Sequence, residues 1–232
     1  MRLITMSKKI GEGRLEFFGC PLGCKYCSHR IMEKKDISYD QLLKFLSDYE
    51  TKRVFIGGAE PALYKKELTD LIRLLSKRGK EITLKTTGYD PSFIKETLGF
   101  VNLYLLEIKA PLDDVETTSR LTNMPDDKVK EYLQNLQASL DLLKGQKVRA
   151  IIRVIPPMID GDKIERMGQQ LQGKVSEAHL IQFLSSTNDL PFEGIDKPAP
   201  PLEEMEHYAA LMVKYIPLVK LQADGVETTI RA

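Results

Sequence analysis

The chain has almost no cysteine: three among 232 residues, with no fourth. An odd number crowded into one stretch cannot make the disulfide framework that staples small secreted domains. Long apolar runs are missing as well. No stretch approaches the twenty or so residues that a bilayer requires, so no membrane span is expected. Charge of one sign is not in excess. The formal net charge of +1 lacks the basic footprint of a protein that reads nucleic-acid phosphates. Local basic runs such as Lys34-Lys35 and Lys65-Lys66 read as solvated faces. The segment Met1 to Lys9 is too short and too charged for a secretory signal, so a cytoplasmic protein is expected. Internal repeats and low-complexity segments are absent. What remains is ordinary for a soluble domain, with 42% hydrophobic and 29% charged residues.

The three cysteines lie within eight residues, in Phe17-Phe18-Gly19-Cys20-Pro21-Leu22-Gly23-Cys24-Lys25-Tyr26-Cys27. Three thiolates so placed can hold three corners of an iron–sulfur cube. Without a fourth, one iron stays open to a ligand that is not protein. Structural zinc is an alternative, with His29 as fourth ligand. Zinc modules, however, usually separate their ligands into two pairs, and a chain of this length needs no metal to fold. A third reading is three buried cysteines acting as small hydrophobes. Gly19, Gly23 and the polar neighbours argue against a buried run.

Strand and helix patterns alternate along most of the chain. Strands are predicted at Arg14–Phe18, Val54–Ile56, Glu81–Lys85, Leu103–Ile108, Lys147–Ile155 and Ala178–Leu184. Helical stripes are predicted at Tyr39–Tyr49, Lys65–Arg78, Pro91–Leu98, Asp126–Leu143 and Asp162–Leu171. Six β-then-α units with short links imply a parallel sheet with crossover helices, two units short of a closed eight-fold barrel. Residues 185–201, rich in proline, read as a loop. An amphipathic helix over Leu202–Tyr215 follows, then a hairpin turning at Ala223-Asp224-Gly225. The expected class is α/β, with a core over residues 1–184 and residues 185–232 packed on it as a cap.

The Cys-x3-Cys-x2-Cys spacing, with Tyr26 just before the last cysteine, resembles the signature of the radical S-adenosylmethionine family. The resemblance is strongest to its activating-enzyme branch, which includes pyruvate formate-lyase activase. It implies a partial (β/α)6 TIM-type open barrel, in agreement with the six units counted independently. It implies a [4Fe-4S] cluster on Cys20, Cys24 and Cys27, with the open iron chelating S-adenosylmethionine. It also implies reductive cleavage to a 5′-deoxyadenosyl radical, an electron donor such as flavodoxin or ferredoxin, and an anaerobic setting. With all three cysteines engaged, neither an auxiliary cluster nor a catalytic thiol is left. The implied chemistry is hydrogen-atom abstraction, with no catalytic side chain beyond the cluster ligands.

Ligands in parallel α/β folds bind beyond the carboxyl ends of the strands. Gly57-Gly58-Ala59-Glu60-Pro61 resembles the family's Gly-Gly-Glu-Pro motif, with Ala59 added before Glu60. The resemblance makes Gly57, Gly58 and Glu60 cofactor-binding; the plain alternative is a strand–helix turn started by Pro61. Lys85-Thr86-Thr87-Gly88 resembles the Asp-Thr-Asn-Gly stretch, with Lys85 in the acidic place, positioned to neutralise a carboxylate, and Thr86 as a hydroxyl contact. Glu107-Ile108-Lys109 resembles Asp-Leu-Lys. Its two charges share one strand face, where they need partners or a ligand. The alternative there is a lysine snorkelling at the rim. Arg153 stands near the top of the fifth strand, where the family places a basic residue; Arg149, lower down, is expected outside. Gln182 and Ser185 are expected near the adenosine, whereas His179 lies at the wrong end and His207 on an exposed helix. The open side of the barrel admits a protein loop in the family, so a glycyl-radical enzyme is one implied substrate. The residues before Cys20 lack the Asp-Gly-Pro-Gly stretch common in such activases, and Gly11-Glu12-Gly13 is a weak echo. A small molecule modified in cofactor synthesis is the other implied substrate.

Overall fold

Alternation of apolar and charged residues gives each strand two unlike faces, and the sheet sorts them. The computed structural model describes residues 1–184, 189–191 and 199–232. Ten strands form one sheet. They are β1 (Arg2–Lys9), β2 (Glu12–Phe17), β3 (Lys35–Asp36), β4 (Arg53–Gly58), β5 (Glu81–Thr86), β6 (Leu103–Ile108), β7 (Val148–Val154), β8 (Glu177–Gln182), β9 (Leu218–Ala223) and β10 (Val226–Arg231). Their order is β10-β9-β8-β7-β6-β5-β4-β2-β1-β3. From β2 through β4 to β9 neighbouring strands run parallel. Antiparallel β1, with β3 beyond it, finishes one edge and antiparallel β10 the other. The helices are α1 (Tyr39–Leu46), α2 (Lys65–Lys77), α3 (Pro91–Thr97), α4 (Val115–Thr122), α5 (Asp126–Leu142), α6 (Gly161–Leu171) and α7 (Leu202–Met212). The sheet is open, with its two edge strands at opposite ends of the order.

Several elements differ from the sequence pattern, among them β3 and α4, which it does not contain, and the following two. The N-terminal strand β1, which the sequence pattern does not mark, has Leu3 buried and only its two ends exposed; it returns into β2 through a two-residue turn in which Gly11 has φ +72°. The terminal hairpin is present, but its first strand joins the sheet. Residue pairs Ala178–Val219 to Ile181–Gln222 align β9 parallel to β8, with α7 as the crossover. The segment expected to cap the barrel therefore extends its wall. No helix among the described residues is long and apolar enough to cross a membrane.

The core lies between the sheet and its helices. On the helix-facing side stand Leu15, Phe17, Val54, Ile56, Leu84, Tyr104, Leu106, Ala150, Ile152, Leu180 and Val219, all sealed from solvent. The opposite face lines the barrel interior and carries charge. Arg14 pairs with Glu12 and Glu16 at 3.3 Å each and stacks 4.0 Å over Phe55. Arg149 lies on this inner face, not outside, because it shares the parity of Arg153; it pairs with Glu177 at 2.5 Å. His179, further along, faces Glu227 at 3.7 Å. Its pKa is pushed down to about 4, mainly by burial, with Arg149 and Lys220 adding to the fall.

Candidate active site

The carboxyl ends of the parallel strands open on a cavity of about 410 Å³. All three cysteines line it, together with Tyr26, Gly58, Lys85, Thr86, Glu107, Lys109 and Arg153 from the residues that the sequence put forward. His29, Ala59 and Thr87 line it too.

The cysteine loop is clamped from several sides. Phe18 N–H donates to the Arg2 carbonyl at 3.0 Å, so the unforeseen strand β1 holds the loop's first residue. Tyr64 Oη donates to the Phe18 carbonyl at 2.9 Å. Lys25 N–H donates to the Leu121 carbonyl near the end of α4, at 3.2 Å. A side chain at Gly23 would meet the Thr122 carbonyl at 3.0 Å, so glycine lets the loop approach that helix. Leu190 N–H donates to the Tyr26 carbonyl at 2.8 Å. Cys24 is buried, while Cys20 and Cys27 are half-buried. Burial pushes the Cys20 thiol up, with the Glu60 charge adding to it, and burial likewise pushes Cys24 up. Thiols of this kind give up their protons on metal binding. Among the described residues no three thiol, imidazole or carboxylate groups converge on a single-ion position. Three soft sulfur donors on a common cavity fit an iron–sulfur cube, for which cysteine thiolate is the usual ligand.

A buried ionic network stands opposite the cysteines. Glu107 Oε1 lies 2.6 Å from Lys85 Nζ, and Oε2 lies 3.1 Å from Lys109 Nζ. Burial alone would raise the Glu107 pKa. The charges of Lys109, Lys85 and Arg153 outweigh it and hold the carboxyl well below the usual range. Burial would likewise lower Lys109, but Glu107 dominates and holds it well above the ordinary lysine value. Lys109 and Arg153 also lie 5.4 and 5.9 Å from the centre of the Tyr26 ring, within cation–π reach. The lysine at 85 is therefore engaged by Glu107, which tethers the cation expected to meet a carboxylate.

The Gly57-to-Pro61 stretch divides its work. Gly58 lines the cavity at φ +94°, and any side chain there would collide with the Phe17 backbone at 2.5 Å. Gly57 does not line the cavity; it leaves room for the Phe55 ring, which a side chain would meet at 2.6 Å. Glu60 is also outside, contrary to its assignment to the cofactor. Its buried carboxylate accepts from Ala62 N–H at 3.0 Å, Thr86 Oγ1 and Thr87 N–H at 2.7 Å each, and Thr87 Oγ1 at 2.5 Å. The extra Ala59 sets this register: Ala59 N–H reaches the Phe17 carbonyl and Glu60 N–H the Gly19 carbonyl, both at 2.9 Å. Glu60 thus caps the helical turn begun by Pro61, as the plain reading had it. Thr86 lines the cavity, but its hydroxyl already donates to Glu60.

Gln182 is drawn away from the cavity. Its amide donates to the Pro200 carbonyl at 2.8 Å and accepts from Asp224 N–H at 2.8 Å, fixing the terminal hairpin. Ser185 lies outside the described residues. His207 is exposed on α7. Sequence reasoning missed Asp189, whose carboxylate pairs with Arg153. Nothing local marks it, since Arg153 and Asp189 lie far apart in the sequence.

The sequence pattern described as the radical SAM superfamily matches residues 17–170 of this chain. A Methanocaldococcus jannaschii protein, provisionally named a glycyl-radical enzyme activating enzyme, is 26% identical over 198 residues, spanning 84% of this chain and 74% of its own. A second protein of that organism with the same provisional name is 20% identical over 206 residues, 86% and 83% of the two chains. The 7-carboxy-7-deazaguanine synthase of Clostridium acetobutylicum is 25% identical over 138 residues, 56% of this chain and 61% of that one. Among solved structures, archaeal TYW1 superposes with a TM-score of 0.65 at 15% identity, covering 97% of this chain and 80% of its own. That likeness concerns the fold. The family match begins at the residue where β2 delivers the cysteine loop and runs through the strand ends that line the cavity: the chain belongs to the radical SAM superfamily, an enzyme family that works with a [4Fe-4S] cluster and S-adenosylmethionine.

Proposed function

We propose that Cys20, Cys24 and Cys27 hold the [4Fe-4S] cluster by three of its irons. The observation that carries this is the placement of all three thiols, and no fourth, on the cavity that Lys85, Glu107, Lys109 and Arg153 close from the other side. When bound, the reduced cluster supplies one electron that cleaves S-adenosylmethionine and releases a carbon radical able to take a hydrogen atom. The chain's residues bind and orient. Gly58 lets the backbone approach the ligand without a side chain in between. Lys85, Lys109 and Arg153 give the wall three cations against the anions Glu107 and Asp189, leaving one positive charge for the methionine carboxylate. Tyr26 and Leu22 keep water from the base of the loop. Holding the reacting atoms close is the main contribution a protein makes to such chemistry. A one-electron carrier such as flavodoxin or ferredoxin would supply the reductant.

For the hydrogen donor we favour a glycyl-radical enzyme presented as an extended loop. The cavity of about 410 Å³ lies toward the low end of the range for one small-molecule ligand, which leaves little room for a second small substrate beside S-adenosylmethionine. Both Methanocaldococcus relatives that cover most of the chain carry the activating-enzyme name. A small-molecule substrate is the second reading, supported by the similarity to 7-carboxy-7-deazaguanine synthase and by the polar inner face.

Anaerobic reconstitution tests the proposal. The holoprotein should contain about four irons per chain, as a [4Fe–4S] cluster on these ligands requires, and release 5′-deoxyadenosine once reduced; Cys24→Ala should do neither. Zinc in the site without cleavage would overturn it. Incubation with a purified glycyl-radical enzyme separates the two substrates. A protein-borne radical signal supports the first, and its absence together with deuterium transfer from a small molecule supports the second.

A further inference from the structure

Arg153 is nearly buried at the cavity wall, and Asp189 holds it there. Asp189 Oδ1 pairs with Arg153 Nη1, and the Asp189 side chain is sealed from solvent. The other oxygen, Oδ2, accepts from Leu184 N–H at 3.0 Å, just past β8, where Leu184 adopts φ +62°. The main chain engages at the same point. Asp189 forms an antiparallel bridge with Cys27, and Leu190 N–H donates to the Tyr26 carbonyl. One residue therefore joins the top of β7, the exit of β8 and the last turn of the cysteine loop. A buried carboxylate carries a desolvation cost that its contacts must offset; here Oδ2 accepts from Leu184 N–H and Oδ1 meets the charge of the Arg153 guanidinium, without a hydrogen bond of its own. An untied arginine would spread over many rotamers, and the pair with Asp189 selects one.

We infer that Asp189 is a positioning residue: it aims Arg153 into the cavity and fastens the Tyr26–Cys27 end of the cysteine loop. The aiming half rests on the reading of the cavity as the S-adenosylmethionine site; the fastening half does not. The test uses the reconstituted holoenzyme and the variants Asp189→Ala, Asp189→Asn, Arg153→Ala and the double alanine variant. Equilibrium dialysis measures S-adenosylmethionine affinity. Hydrogen exchange at the Leu190 amide is followed in the same proteins before reconstitution. Asp189→Ala should weaken binding about tenfold, Arg153→Ala by a similar factor, and the double variant no further than the weaker single one, as residues acting through one contact do. Asp189→Asn keeps the shape and loses the charge, so about threefold is expected; it carries the test if the alanine variant does not fold. Exchange at Leu190 should rise in Asp189→Ala. Unchanged affinity in both Asp189 variants, or factors that multiply in the double variant, overturns the aiming role. Unchanged Leu190 exchange overturns the fastening role. Should the wild-type holoenzyme bind no S-adenosylmethionine, the site reading and the aiming role fall together, and the exchange measurement decides the fastening role by itself.

Discussion

On β6, Tyr104, Leu106 and Ile108 face the helices, while Glu107 faces the barrel interior, and the contrast recurs on each parallel strand that carries an inner charge. The outer face is a packed apolar layer, with Tyr104 Oη satisfied by Thr97 Oγ1 at 3.2 Å and its phenol pushed up to about 12 by burial. The inner face mixes apolar residues such as Ile151 and Ile181 with ion pairs that grow more buried toward the cysteines, from Arg14 with Glu12 and Glu16 to Lys109 with Glu107. Barrel interiors of the closed eight-fold kind are filled with branched apolar residues. Here the interior keeps its polarity, and the fold draws its stability from outside the barrel. The strands can therefore point charge at a ligand without emptying the core.

Changes on the two faces should separate stability from chemistry, and they can be ranked by size. Leu106→Ala, on the outer face, should cost about 2–5 kcal/mol by leaving a cavity, while cleavage per folded molecule stays near wild type. Urea titration beside a turnover assay checks this; a large loss of turnover in the folded fraction would break the division. Glu107→Gln, on the inner face, should cost about 3 kcal/mol, because buried Lys109 loses its anion and half-buried Lys85 loses its partner. It should depress cleavage as well. The Glu107 pKa is lowered in the folded state, so its contribution is present above the ordinary glutamate value of about 4.3 and is lost as pH falls through the folded value. The variant should lose less stability than wild type over that acid range.

His179 sharpens the comparison further. Its folded pKa of about 4 lies below the unfolded value of about 6.5, so the folded state favours the neutral ring. The unfolded chain binds more protons between those values, and stability should fall as pH drops from 6.5 toward 4, by up to about 3 kcal/mol. Urea titrations at pH 7 and 4.5 on wild type and His179→Asn check it: equal losses in the two proteins would contradict the account. The smallest stability effect is expected for Lys85→Met, about 1 kcal/mol or less, since Lys85 is partly exposed and Lys109 remains on Glu107. Its Michaelis constant for S-adenosylmethionine should rise all the same.

The regular part of this architecture was legible in the sequence because short apolar strand runs alternate with amphipathic helices, as at Leu103–Ile108, where the predicted and observed bounds coincide. The strand β1 was not, since its apolar residues Leu3, Ile4 and Met6 do not alternate with its polar ones. Helix α4 was missed because threonine-rich Val115–Thr122 is poor in helix formers. Its caps were visible nonetheless: Asp114 accepts from Thr117 N–H at 2.9 Å, and Asn123 takes the left-handed φ of +54°. At the site, strand parity put Glu107 and Lys109 on one face, and the family resemblance put Arg153 at a strand top; all three line the cavity. Neither could show that Glu60 meets Thr86 and Thr87, nor that Asp189 returns to Arg153, because those contacts depend on how distant segments meet.

The central claim is a cube held by three sulfurs with one iron left to S-adenosylmethionine. Electron–nuclear double resonance on the reduced, oxygen-free holoprotein, with S-adenosylmethionine labelled at its amino nitrogen or carboxylate, reads that iron directly. The account predicts hyperfine coupling between the label and the cluster. A cluster spectrum indifferent to the labelled ligand, with a protein side chain on every iron, would contradict it.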